Sequence, residues 1–159
     1  MLSAKIKSQI QLKHLADSLR KRGKKIVFTN GCFDILHFGH AKYLEEAKKK
    51  GDILVVAVNS DASIKRIKGK MRPVVKQKDR VALVAALESV DYVTVFNDDT
   101  PIKVIKLIRP DILIKGADWS KFNIVGADFV GTYGASVQTV RLVKGISTTR
   151  LIKKIAQKF

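Results

Sequence analysis

Residues 52–58, Asp52-Ile53-Leu54-Val55-Val56-Ala57-Val58, contain an apolar run with no polar side chain after Asp52. A strand with one wet face alternates polar and apolar residues. A short unbroken run between Gly51 and Asn59-Ser60-Asp61 has the character of a strand buried on both faces of a parallel sheet. Parallel strands need long crossovers, usually helical, and the chain supplies them. Strand patterns over 25–29, 92–96, 111–114 and 136–140 alternate with helical patterns over 39–50, 77–89, the stretch after Thr100-Pro101, and 148–158. Thr100 is expected to cap its helix, with Pro101 in the first turn. Asn59-Ser60-Asp61 opens a further short helix. The expected fold is α/β: a Rossmann-like, doubly wound parallel five-stranded sheet in a single domain. Residues 2–19 place Ile6, Ile10, Leu12, Leu15 and Leu19 near helical spacing, with Gly23 as a stop. They are read as an N-terminal helix within 1–23, ahead of the main domain over 24–159.

Polar residues recur just after the strands, in Asn30-Gly31, Asn59-Ser60-Asp61 and Lys115-Gly116-Ala117-Asp118. That is the carboxyl edge, where doubly wound sheets bind ligands. Neither a dinucleotide-binding Gly-x-Gly-x-x-Gly nor a P-loop Gly-Lys-Ser/Thr is present. Instead Ile26-Val27-Phe28 leads into Thr29-Asn30-Gly31-Cys32-Phe33-Asp34-Ile35-Leu36-His37-Phe38-Gly39-His40. The two histidines stand where a strand hands over to a helix. There the backbone N–H groups and the helix dipole favour an anion, and two imidazole donors suit the place to a polyphosphate. A His-x-x-His metal site is the alternative, but His14 and Cys32 are the only other His and Cys, so a closed zinc shell lacks ligands. No metal ligands are expected. A pair of structural histidines is the other alternative. Cys32 has no partner for thiol chemistry in its neighbourhood and reads as a small buried filler. Near the C-terminus, Ser147-Thr148-Thr149 opens the last helix. These hydroxyls either cap it or form a second anion clamp.

The formal charge is +17, from 31 Lys and Arg against 14 acidic residues. Such a chain attracts anions. The charge is spread along the sequence without interleaved aromatics, so solvated helix faces account for most of it. A basic RNA-binding module is the remote alternative; no specific nucleic-acid partner is expected. A single cysteine fits a reducing cytoplasm. No apolar run is long enough to span a bilayer, and the first residues have no signal-peptide core, so no membrane association is expected.

The His37-Phe38-Gly39-His40 motif is the HxGH signature of the nucleotidyltransferase superfamily, and Ile146-Ser147-Thr148-Thr149 resembles the companion motif of its small cytidylyl- and adenylyltransferases. Further stretches narrow the resemblance: Val58-Asn59-Ser60-Asp61, Lys68-Gly69 with Arg72-Pro73-Val74, Asp99-Thr100-Pro101, and Arg109-Pro110-Asp111-Ile112-Leu113-Ile114-Lys115-Gly116. With them the chain resembles the D-glycero-β-D-manno-heptose 1-phosphate adenylyltransferases that form ADP-heptose, over roughly residues 24–155. Asp118-Trp119 is similar to the Asp-Trp of glycerol-3-phosphate cytidylyltransferases, which makes CTP with glycerol 3-phosphate the alternative reaction.

The resemblance implies transfer of AMP from ATP to heptose 1-phosphate, with Mg²⁺ arriving on the ATP. It assigns His37, His40, Lys68 and Arg80 to catalysis, the two histidines as phosphate donors and the two cations as contacts to sugar phosphate or pyrophosphate. Nucleotide contacts are expected from Gly31, Cys32, Phe33, Asp34 and Gly39, from Lys115, Gly116 and Asp118, and from Ser147, Thr148 and Thr149. Asn59, Asp61 and Arg72 are expected at the acceptor. For Lys68 and Arg72 a solvent-exposed or ion-paired surface role stays open, as does a loop cap for Asp34. A homodimer is expected, and a separate kinase would supply the heptose phosphate.

Overall fold

The computed structural model describes residues 2–117 and 124–158. Its five strands are β1 (Ile26–Gly31), β2 (Ile53–Asn59), β3 (Tyr92–Phe96), β4 (Ile112–Gly116) and β5 (Ser136–Val140). They lie in the order β3-β2-β1-β4-β5, every neighbouring pair parallel. The chain winds outward from β1 through β2 to β3, then returns to the other side of β1 for β4 and β5. This is the doubly wound, Rossmann-like arrangement. Its strand order reverses at β1, the place where such sheets bind ligands.

The unbroken apolar run finds its reason in two cores. Alternate residues go to opposite faces of a strand. Val27, Leu54, Val56 and Val58 pack with Tyr43 and Leu44 of α3 (Phe38–Lys48) and Val81 and Val84 of α5 (Gln77–Ala86). Ile26, Phe28, Val55 and Ala57 pack on the other face with Leu12, Ala16 and Leu19 of α2 (Gln9–Lys21) and Val104, Ile105 and Ile108 of α6 (Ile102–Ile108). Each fully buried branched aliphatic adds roughly 1.5–3 kcal/mol of transfer free energy. Neither face of β2 can therefore be polar before its last residue, Asn59.

Several elements differ from their sequence patterns. Residues 2–19 are not one helix: α1 (Leu2–Lys5) ends before α2 begins. Ile6 makes a parallel bridge to Val93, and the Lys7 N–H donates to the Val93 carbonyl at 2.9 Å. The segment straps the edge strand β3, and Ser8 restarts the helix through a capping box with Gln11. α5 stops at Ala86 because Leu87 turns extended, ψ 133°. Thr100 does not cap α6; the cap position is Pro101, without a side-chain hydrogen bond. Residues 61–68 form the short helix α4 (Asp61–Lys68), with Ser60 accepting from the Ser63 N–H. A five-residue helix, α7 (Ala127–Gly131), has no counterpart among the expected elements. α8 (Thr148–Lys158) closes the chain. Among the described residues no helix is long and apolar enough to cross a membrane.

Candidate active site

The parallel registers bring Gly31 level with Val58, and Gly116 ends β4 on the same edge. A cavity of about 770 Å³ opens there. Its floor is the connection from β1 into α3. Gly31 stands where a Cβ would lie 3.0 Å from the Phe33 ring, and Phe33 itself takes a left-handed φ of 46°. The missing side chain lets the Phe33 ring fold back over β1. From there it meets the His40 ring edge-on, 5.3 Å between centroids.

His37 holds the N-cap position of α3 in extended conformation, and no side-chain cap bond ties it there. Its imidazole stacks on that of His40, centroids 3.8 Å apart and planes 21° from parallel. Both Nδ1 atoms are buried and have no hydrogen-bond partner among the described residues. Burial, then the neighbouring His37, pushes His40 down to about 4. Burial also lowers His37. The pair is therefore neutral at pH 7, each ring keeping one donor and one acceptor nitrogen. Gly39 lies between them, and a Cβ there would come within 3.0 Å of the His37 ring and 3.1 Å of Ile146 Cγ2. Across that contact stand Ser147, Thr148 and Thr149, all lining the cavity. Ser147 does cap α8, its Oγ accepting from the Arg150 N–H at 3.2 Å. Its hydroxyl proton stays available to a ligand.

One wall is built on Asp34, which is 1% exposed. Its carboxylate accepts from the N–H groups of Val74 and Val75 and from Arg72 Nε at 2.5 Å. Burial alone would raise the Asp34 carboxyl, but those backbone donors and the guanidinium together hold it below the usual carboxylate range. Asp34 thus anchors the 72–75 segment, and Arg72, held through its Nε, lines the cavity. Lys68 lines the same wall with no ion-pair partner among the described residues. On the far side Lys115 donates to Asn30 Oδ1, and Lys115 and Gly116 line the cavity.

Arg80 is not placed as the phosphate contact that the resemblance implies. It is 0% exposed. It donates to the carbonyls of Val75, Cys32 and Asn59 and to Asp61 Oδ1, at 2.6–2.9 Å. A guanidinium bonded in this way cannot reach a phosphate; it ties together the backbone of three segments beneath the cavity. Asp61 is likewise turned to Arg80 and is not on the cavity wall. Asn59 is 3% exposed and lines the cavity, but its amide already donates to Ser63 Oγ at 3.0 Å. Burial pushes the Cys32 thiol up, against the pull of Lys68, Arg80 and Arg72, so it stays protonated at neutral pH. Asp118 lies outside the described residues.

The cavity also draws on residues that the motifs alone do not single out. Tyr43 hydrogen-bonds Thr29 Oγ1 at 2.7 Å and the Ile114 carbonyl at 3.3 Å, joining α3 to β1 and β4. Val125, Leu142 and Val143 supply apolar wall beside β4 and β5, and Asp99, Thr100 and Pro101 supply wall beside β3. Among the described residues no three His, Cys, Asp or Glu side chains are placed to share a metal ion.

This geometry has known counterparts. A cytidylyltransferase-like family model matches residues 28–154. The chain belongs to the cytidylyltransferase-like family. Similar members include the "Bifunctional protein HldE" of Syntrophotalea carbinolica, 47% identical over 98% of this chain and 32% of that protein. A protein of the same name from a Nitratiruptor species is 50% identical over 94% of this chain and 32% of that one. The chain thus spans about a third of the length of these curated relatives. The crystal structure of a lipopolysaccharide core biosynthesis protein from Thermoplasma volcanium GSS1 superposes with a TM-score of 0.62 at 35% identity, covering 78% of this chain and all of that one. The cytidylyltransferase-like cavity floor, with its stacked histidines, lies inside the matched span.

Proposed function

We propose that this protein is an adenylyltransferase that moves AMP from ATP to D-glycero-β-D-manno-heptose 1-phosphate, giving ADP-heptose and pyrophosphate. The observation that carries the reading is the stacked His37–His40 pair, joined through the Gly39–Ile146 contact to Ser147, Thr148 and Thr149 on one cavity. The similarity to proteins named HldE, and to a structure titled as lipopolysaccharide core biosynthesis, supports the choice of sugar.

A phosphate oxygen of the acceptor attacks the α-phosphorus, and the bond from that phosphorus to the bridging oxygen of the pyrophosphate breaks. The attacking oxygen is already anionic at pH 7, so no general base is needed. The demand falls on stabilising charge at the α-phosphoryl and leaving groups, by positioning and electrostatics. His37 and His40 donate to the α-phosphoryl and leaving oxygens. Ser147, Thr148 and Thr149 hold the β- and γ-phosphates at the start of α8. Lys68 and Arg72 receive the acceptor phosphate. Gly31, Cys32, Phe33, Gly39, Lys115 and Gly116 line the nucleotide, with Asp34 behind them holding Arg72. With the Asp34 and Asp61 carboxylates engaged by protein donors, the donor set fits a Mg²⁺ carried on the ATP phosphates with few protein ligands.

A cytoplasmic setting is supported by the nucleotide substrate and the single cysteine. The reading includes a homodimer, which a solution mass measurement would test.

The test is pyrophosphate release from ATP and from CTP, each with heptose 1-phosphate and with glycerol 3-phosphate. Release with ATP plus heptose 1-phosphate is expected. Release with CTP plus glycerol 3-phosphate instead overturns the substrate choice and keeps the chemistry. His40→Ala is expected to lower turnover about a hundredfold or more, as when one transition-state donor is removed; unchanged turnover in the folded variant removes His40 from the mechanism.

A further inference from the structure

The cavity has two chemically unlike halves on either side of β1. Beside β4 and β5 its wall includes Val125, Leu142 and Val143, a lining suited to a flat base. Beside β2 and β3 it is made by the end of α4 and by the turn after β3, Asp99-Thr100-Pro101. The Ser147–Thr149 hydroxyls, which the proposed reaction gives to the triphosphate, follow β5. Resting on that reading, the acceptor falls to the half beside β2 and β3.

An acceptor rich in hydroxyls needs polar partners that are not already engaged. Most of the polar groups on that side fail this condition. Asn59 donates to Ser63, Asp34 accepts from Val74, Val75 and Arg72, and Arg80 is enclosed. Asp99 and Thr100 meet it. Asp99 Oδ1 accepts from Arg66 Nε at 2.7 Å, leaving Oδ2 without a partner among the described residues. The Thr100 hydroxyl caps no helix, is exposed, and lines the cavity.

The turn that carries them is held in place from α4. Ser60 Oγ donates to Asn97 Oδ1 at 2.5 Å and Ser63 Oγ to the Asp98 carbonyl at 2.9 Å, while Arg66 also donates to the Asn97 carbonyl. Side chains fixed this way bind with less ordering cost. A carboxylate at this place also repels a second phosphate or carboxylate on the acceptor, so it selects by exclusion as well as by contact.

We infer that Asp99 and Thr100 form the subsite that recognises the hydroxyl-bearing body of the acceptor and set the preference for a polyhydroxylated, singly phosphorylated substrate. Asp99 accepts hydrogen bonds from acceptor hydroxyls, Thr100 adds a donor and acceptor beside it, and Lys68 with Arg72 takes the phosphate.

The experiment is steady-state kinetics of Asp99→Asn and Thr100→Val, using whichever of heptose 1-phosphate and glycerol 3-phosphate the unsubstituted protein turns over best. Asp98→Asn serves as the control, because Asp98 pairs with Lys103 and does not line the cavity. Asp99→Asn should raise the acceptor KM about tenfold and Thr100→Val two- to tenfold, the difference between keeping and losing such hydrogen bonds. The ATP KM should stay within about twofold. An unchanged acceptor KM overturns the subsite. So does an equal rise in both KM values, which would mark the turn as merely structural. If only glycerol 3-phosphate is used, the proposed sugar fails, while a rise in that acceptor's KM still upholds the subsite. Turnover of neither acceptor overturns both.

Discussion

His37 and His40 lie ring on ring, 3.8 Å between centroids, with neither Nδ1 bonded within the described residues. Each is held below the ordinary histidine range, chiefly by burial, and His40 reaches about 4. In the unfolded chain both titrate near 6.5. The folded state therefore binds fewer protons than the unfolded state below that pH. The stability contributed by the neutral pair is complete above pH 6.5 and is lost as the pH falls toward 4. The midpoint of thermal unfolding should drop more steeply between pH 7 and 4.5 in the unsubstituted protein than in His40→Gln. The Asp34 contribution is common to both and cancels. Parallel curves would mean that the stack does not titrate as described.

Gly39 holds the histidine pair against the start of α8. An added methyl would sit 3.0 Å from the His37 ring and 3.1 Å from Ile146 Cγ2, so one of them must give way. Alanine gains roughly 1 kcal/mol in helix propensity, and overpacking costs about 1–3 kcal/mol. The net should lie between no change and a destabilisation of about 2 kcal/mol. On the proposed mechanism turnover should fall tenfold or more, because the displaced imidazoles would lose their alignment with the phosphates. Gly39→Ala with full activity and an unchanged melting curve would show that the His37–Ile146 spacing is slack.

What could be read in advance follows the range of the interactions. The sheet was legible because burial on both faces writes itself into consecutive residues, as in 53–58. The cavity floor was legible because His37, Gly39 and His40 are neighbours in one motif. The break in the first helix was not, since the partner of Ile6 is Val93 on a distant edge strand. Arg80 looked like a free cation for the same reason: its acceptors are carbonyls of Cys32, Asn59 and Val75, and backbone carbonyls leave no mark in a sequence. Thr100 before Pro101 satisfied the pattern of a cap, yet its position on the cavity wall depends on how α4 grips the turn. α7 buries only Val130, too little to leave a period.

Arg80 illustrates a buried cation held mostly by neutral carbonyls. Arg80→Met removes the donors but leaves the carbonyls of Cys32, Asn59 and Val75 and the Asp61 carboxylate without them. Breaking such a site typically costs about 3–5 kcal/mol. Chemical denaturation should show a loss of that size. Asp61→Asn should lose far less, because the Asp61 side chain is 39% exposed and water can replace its partner. Equal losses in the two variants would mean that the Arg80–Asp61 pair, and not the carbonyl set, holds the segments together.

Asp34 joins stability to the proposed acceptor site through one carboxylate. Asparagine at this position would turn an N–H donor, or leave a single acceptor, toward the Val74 and Val75 N–H groups and Arg72 Nε. Hydrogen bonds to a charged acceptor are worth about 1.5–3 kcal/mol, so Asp34→Asn should destabilise by about 2–3 kcal/mol. Because the carboxylate is held below its usual range, its contribution is present above pH 4 and disappears as the pH falls further. The stability gap between the unsubstituted protein and Asp34→Asn should therefore narrow on acidification below pH 4. Arg72 and the 72–75 segment lose their anchor in the same variant, so the acceptor KM should rise more than the ATP KM. A folded Asp34→Asn protein with both KM values unchanged would show that Arg72 keeps its place without Asp34 and that the carboxylate serves stability alone.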